Sequence, residues 1–342
     1  MRRFNELEPV RRWLAMMWLL ALCLLAGCAA PQSHTHADLP SWADGPSRDA
    51  IVEFVKAVTQ PGSPDFVAPE ARIAVFDNDG TLWSEQPLYF EVLFALDEVR
   101  AQAPSHPEWQ VRQPFKAALQ NDQAALAKSG SHGMMEIIVA THTGMSVDQF
   151  SQRVDRWRQT AHHPQTGMLY SSMTYLPMRE LLDYLRARDF KTYIVSGGET
   201  EFMRPWTQAA YGIPPEQVIG TVLATDFVSD GATFQLMRQP KLEFNDDGPG
   251  KPVAIQRQIG RRPILAFGNS DGDLQMLQWT MAGPGKRFAG LVHHTDAKRE
   301  WAYDRQSHVG RLDKALDAAR VQGWTIVDME KEWKRIYPSE KP

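Results

Sequence analysis

The stretch Ile73-Ala74-Val75-Phe76-Asp77-Asn78-Asp79-Gly80-Thr81-Leu82-Trp83 decides how the rest of the chain is read. An apolar, β-rich run stopped by Asp and Gly has the pattern of a buried parallel strand ending at the edge of a sheet. In open α/β sheets, sites form at those carboxyl ends. Asp77 and Asp79 lie two apart, so in a regular strand they share a face, and as the chain leaves the strand both reach one small volume. A hard cation is the natural way to hold two such charges together. An isolated Asp-x-Asp-Gly is equally what a strand-to-turn bend uses, so the wider chain has to decide.

Three later segments bear on it: Tyr193-Ile194-Val195-Ser196-Gly197-Gly198, then Gly250-Lys251-Pro252 opening a helical pattern, then Ile264-Leu265-Ala266-Phe267-Gly268-Asn269-Ser270-Asp271-Gly272-Asp273. In that order, the four segments resemble the motifs of the haloacid dehalogenase superfamily, most closely its phosphoserine-phosphatase-like branch, over roughly residues 70–335. The resemblance implies an α/β fold with a doubly wound, mostly parallel sheet and a helical C1-type cap inserted after the first strand. It also implies a Mg²⁺-dependent phosphatase for small phosphate esters. By the same resemblance Asp77 is the nucleophile and Asp79 the proton donor and acceptor. Ser196, Gly197, Gly198 and Lys251 take the phosphate, and Asp77, Asp79, Asn269 and Asp273 hold the metal.

Simple chemistry supports several of these roles. A hydroxyl at Ser196 can hydrogen-bond a phosphoryl oxygen while Gly197 and Gly198 let backbone N–H groups approach the same anion. A helix expected over 199–210 adds its positive end. Lys251 offers a fixed counter-ion, with Lys241 the rival; the helix start favours Lys251. Asn269 departs from the family pattern, which has aspartate there. An amide oxygen still coordinates a hard cation but adds no charge, so compensation is expected from Asp273 or Asp271, the latter otherwise a helix cap.

The chain of 342 residues has 43% hydrophobic and 23% charged residues, enough for a large core in one or two domains. A net charge of -4 with scattered basic residues gives no nucleic-acid footprint. Residues 1–28 form a separate layout, with Arg2, Arg3, Arg11 and Arg12 ahead of an apolar run too short to span a membrane stably. It ends in Leu25-Ala26-Gly27-Cys28, which resembles a bacterial lipobox with Cys28 as the lipidated residue. The expectation is a signal peptide at 1–28, a tether at 29–47, and a lipid-anchored protein on the periplasmic side of the envelope, at the outer membrane. Cys23 and Cys28 are the two cysteines, so no disulfide framework is expected.

The catalytic core is expected at 48–82 and 177–342, with the cap at 83–176. Cap helices are expected over 89–103, 114–128, 134–141 and 146–160, the last opened by a capping box from Ser146 to Gln149. Glu85, Tyr89, His132, His142, His162 and His163 are candidates for reading the leaving group. Arg204 is expected in solvent and Trp83 in packing. Ser229-Asp230-Gly231 reads as a hairpin turn, and strands over 289–293 and 324–327 complete the sheet. Two other functions stay open: a weakly active or inactive binding lipoprotein on this scaffold, and a haloacid dehalogenase, against which Asp79 argues.

Overall fold

The computed structural model describes residues 39–340. Its centre is a seven-stranded sheet in the order β4-β3-β2-β1-β5-β6-β7. The strands are β1 (Ile73–Phe76), β2 (Lys191–Glu199), β3 (Val218–Ser229), β4 (Phe234–Phe244), β5 (Leu265–Gly268), β6 (Phe288–His293) and β7 (Thr325–Asp328). Pairing is parallel throughout except for β4, which joins the edge antiparallel to β3. β1 is buried on both faces, as its unbroken apolar run requires. Ala74 and Phe76 point into one core layer and Ile73 and Val75 into the other. Phe76 pairs with Ile194 on one side and Phe267 on the other, so β1 and β5 end within one residue of each other while β2 runs on past them through Ser196 to Glu199. That register brings the first, second and fourth motifs together.

The helices are α1 (Pro46–Thr59), α2 (Phe90–Gln102), α3 (Phe115–Gln120), α4 (Gln123–His142), α5 (Val147–Thr160), α6 (Leu176–Arg186), α7 (Gly250–Gln258), α8 (Leu274–Met281) and α9 (Lys314–Gln322), with short helical turns between them. Helices α2 to α5 lie between β1 and β2 in sequence, and part of this insertion packs a small core of its own around Leu96, Trp109, Phe115 and Ile137. The Ser146–Gln149 capping box is formed in both directions, at 2.9 and 3.2 Å.

Three local expectations are corrected. Residues 39–47 are no tether: Leu39, Ser41, Trp42 and Ser47 are buried, and the Trp42 indole donates to Pro177 O at 2.9 Å. A tether cannot bury an indole, and this one packs edge-on against Trp333. The helices expected over 114–128 and 134–141 are divided elsewhere. Asn121 stops α3 in the left-handed conformation, Asp122 caps α4 at Ala125 N, and Gly130 kinks it. The single helix expected over 199–210 is two short turns, Thr200–Met203 and Thr207–Tyr211, interrupted where Pro205 has no N–H to give. Its dipole therefore contributes little at Ser196.

Candidate active site

Asp77 follows β1 directly, and its backbone N–H is held by Phe267 O of β5. Gly80 N bonds Trp83 O, and the Thr81, Leu82 and Trp83 N–H groups converge on Asn78 O, so the loop doubles back on itself. This turn presents Asp77 and Asp79 to one cavity of about 340 Å³ at the carboxyl end of the sheet. Glu85, Tyr89, Ser196, Gly197, Gly198 and Lys251 share its wall. Val92 of α2 with Met135 and Ile138 of α4 give it an apolar side from the inserted helices.

Lys251, at the start of α7, donates to Asp77 Oδ1 and to Asp273 Oδ1, both at 2.6 Å. Burial works against its ammonium, but the charges of Asp273 and Asp77 and the two hydrogen bonds override it and raise the lysine's pKa. Lys251 is a permanent cation here. Lys241 lies exposed on β4, far from this role. Asp273 is tied on its other oxygen by the N–H groups of Asn269 and Ser270, both at 3.0 Å.

The two motif-one carboxylates differ in what holds them. Asp77 is pushed up by burial and by Asp273, with Lys251 pulling it back down. Asp79 is pushed up to about 6, mainly by burial. Its Oδ1 accepts from the Trp83 indole at 2.7 Å, so Trp83, expected only to pack, also orients the acid. The indole is itself fixed between Trp206 and Phe90 at 4.4 and 4.8 Å. Among the described residues no hydrogen bond reaches Asp77 Oδ2 or Asp79 Oδ2.

Ser196 lies at the end of the β2 register, where the pairing with β3 shifts between Ser196 and Glu199 and loops Gly197 and Gly198 out of the ladder. Ser196 Oγ accepts from Gly198 N at 3.1 Å. Asn269 is close but turned away: its carbonyl accepts from Thr81 Oγ1 at 3.1 Å and its amide donates to Glu85 Oε1 at 2.6 Å. Neither Asn269 nor Asp273 is among the residues lining the cavity. Asp271 caps the start of α9, accepting from the N–H groups of Asp313 and Ala315 at 2.9 Å. Cys28 lies outside the described residues.

The leaving-group candidates sort clearly. Glu85 and Tyr89 line the cavity, while His132 and His162 are exposed. His163 is buried against Gln86 O at 2.9 Å, and Arg204 pairs with Glu201 outside the cavity. His142 is fully buried, its pKa lowered by burial and by Arg238, with Nε2 3.7 Å from Glu91 Oε1. Glu91 lines the cavity, bonds Glu199 N at 2.8 Å, and is pushed up to about 8 by burial and by Glu199. Arg238 of β4 neutralises Glu199 at 2.6 Å. This cluster of Glu91, His142, Glu199 and Arg238 joins the inserted helices to the sheet. Sequence reasoning missed Glu91, Arg238 and Tyr303, which meet only across the fold.

Solved structures resemble this one loosely. A Bordetella pertussis Tohama I protein titled as of unknown function has a TM-score of 0.49 at 14% identity, covering 75% of this chain and 98% of its own. A functionally unknown Anaerococcus prevotii protein has a TM-score of 0.48 at 13% identity, with 82% and 91% covered. A phosphoserine phosphohydrolase-like protein from Francisella tularensis has a TM-score of 0.36 at 18% identity, with 65% and 87% covered. No curated protein matches the sequence. The family model described as haloacid dehalogenase-like hydrolase matches residues 74–278, well over half of the chain, and the protein belongs to that family.

Proposed function

We propose that this chain is a phosphomonoester hydrolase that works through an aspartyl-phosphate. The observation that carries the reading is the pair of motif-one carboxylates, Asp77 with one oxygen fixed by Lys251 and Asp79 held by Trp83 and pushed up to about 6. Asp77 Oδ2 attacks phosphorus while Asp79 gives its proton to the departing alkoxide, so the P–O ester bond breaks as the acyl-phosphate bond forms. Asp79, now a carboxylate, takes a proton from water as the water oxygen attacks phosphorus and returns Asp77. Ser196 Oγ–H and the Gly197 N–H hold the phosphoryl oxygens, the Gly198 N–H keeps Ser196 Oγ in place, and Lys251 offsets the accumulated negative charge. Val92, Met135 and Ile138 wall the leaving-group side and limit water.

The residues fit a divalent cation: two carboxylate oxygens without hydrogen-bond partners face one cavity, and burial pushes both acids up as long as nothing else offsets their charge. The Asp77 carboxylate and the backbone carbonyl of Asp79 would hold Mg²⁺, leaving the Asp79 carboxyl to move the proton, and the ion would supply charge neutralisation for the phosphoryl group. A dehalogenase is disfavoured by Asp79, which has no task in attack on carbon. The signal-like residues 1–28 support action outside the cytoplasm on an anchor at Cys28; a Cys28→Ser variant released from membranes would agree with that placement.

The decisive assay is hydrolysis of p-nitrophenyl phosphate by the full chain in detergent, with Mg²⁺ and with EDTA, beside Asp77→Asn. Metal-dependent turnover lost in Asp77→Asn is expected. Folded protein with no turnover on this and a panel of small esters, with Mg²⁺ or other divalent cations, would move the reading to a binding lipoprotein.

A further inference from the structure

The geometry points to a metal site apart from the motif-one carboxylates, in which Glu91, His142 and Glu199 hold one divalent ion of the zinc class and clasp the inserted helices to the sheet. This site does not depend on the phosphatase reading. A carboxylate oxygen from each glutamate and a nitrogen of His142 all lie within 4.8 Å of one another. The three side chains come from different elements: Glu91 from α2, His142 from the end of α4 and Glu199 from the end of β2. They are 7%, 0% and 3% exposed.

His142 is the residue that calls for an ion. Thr141 Oγ1 lies 2.8 Å from Ile137 O, which can only accept, so the hydroxyl hydrogen is spent there and the oxygen accepts from His142 Nδ1–H, also at 2.8 Å. Nε2 is then left with a bare lone pair. It is buried without a hydrogen-bond partner, 3.7 Å from Glu91 Oε1. That gap is too long for a hydrogen bond, so a proton on Glu91 does not fill it. An ion does: two ligands each about 2.1 Å from zinc, near the tetrahedral angle, stand roughly 3.4 Å apart. Imidazole joined by carboxylates suits Zn²⁺ better than Mg²⁺, which takes oxygen ligands.

The surroundings aim the ligand atoms. Phe94 and Phe150 pack the imidazole at ring separations of 5.2 and 4.7 Å. Arg238 holds Glu199 Oε2 at 2.6 Å and donates through Nε to His142 O. Glu91 Oε2 accepts from Glu199 N at 2.8 Å, which leaves Oε1 turned to His142. Hydrogen bonds of this kind orient the ligands of a metal. One guanidinium stands against two carboxylates, so a dication offsets the negative charge that remains. Glu91 also lines the cavity, which gives an ion a way in and room for a water as its fourth ligand. Because Glu199 follows directly on the Ser196-Gly197-Gly198 turn, a bound ion would tie that turn to α2 and α4.

The test is to titrate Zn²⁺ into the full chain by calorimetry, with Mg²⁺ in excess to fill the motif-one site, and to follow thermal melting alongside. Wild type is expected to bind one Zn²⁺ and to melt at a higher temperature with it. Glu91→Gln and His142→Gln should each bind the ion at least about tenfold more weakly and lose most of that rise. A cooperative melt in EDTA shows that a variant is folded. X-ray absorption at the zinc edge of the loaded wild type needs no variant, and a single imidazole among oxygen ligands is expected. No Zn²⁺ bound by wild type, wild-type affinity in either folded variant, or an edge spectrum showing no imidazole or several would each overturn the site. All of these results leave the phosphatase reading standing.

Discussion

Lys251 Nζ lies 2.6 Å from Asp77 Oδ1, and the two side chains are only 2% and 8% exposed. An ammonium held this way fixes one oxygen of the nucleophile and leaves the other for attack. Lys251→Met should lower kcat by about 10²–10³-fold. It should also cost roughly 3–5 kcal/mol of stability, because Asp77 and Asp273 would lose their shared buried cation. Urea unfolding beside steady-state assays reads both effects. Activity kept at the wild-type level would remove Lys251 from the machinery.

Trp83 donates to Asp79 and lowers its pKa against the dominant upward push of burial. The acid is protonated below about 6, so kcat/KM should fall as the pH rises through that value. Trp83→Phe keeps most of the stacking and deletes the donor. We expect kcat/KM roughly tenfold lower, about the worth of one hydrogen bond to a charged group, and the alkaline limb moved to higher pH. A pH–rate profile that keeps its limb would show that the indole only packs.

Glu91, raised by burial and by Glu199 to about 8, and Asp246, raised by burial to about 7, both hold protons in the folded state that the unfolded chain releases near its ordinary carboxylate values. Their stabilising contribution is complete below pH about 4 and is lost as the pH rises towards 8. Stability measured by urea unfolding should therefore decline from about pH 5 to 8. Glu91→Gln, which cannot ionise, should show a shallower decline and be more stable than wild type at pH 8. Parallel curves for the two proteins would mean that Glu91 is ionised throughout.

Trp42 is fully buried between α6 and Trp333 although it lies in a Pro-, Gly- and Ser-rich segment. Trp42→Ala should destabilise the protein by about 3–5 kcal/mol. Thermal or chemical melting checks this, and an unchanged midpoint would restore the segment to the role of a tether.

The sequence by itself determined the features that depend on neighbours along the chain. The apolar run of β1 ending in Asp77-Asn78-Asp79-Gly80, the Ser146–Gln149 cap, the hairpin after Ser229 and the helix start at Lys251 each follow from local backbone and side-chain preferences. The order of the motifs then indicated a mostly parallel sheet. What only the tertiary structure decided is how distant groups satisfy one another. Tyr303 reaches Glu85 across 218 positions and Thr81 reaches Asn269 across 188, because parallel strands return remote segments to one sheet edge. Glu91 acquires its raised pKa only when folding buries it and β2 brings Glu199 against it. Trp42 likewise shows no local periodicity; its place is set by an apolar surface that exists only once α6 and Trp333 are folded, since burial depends on the whole molecule and not on the adjacent residues.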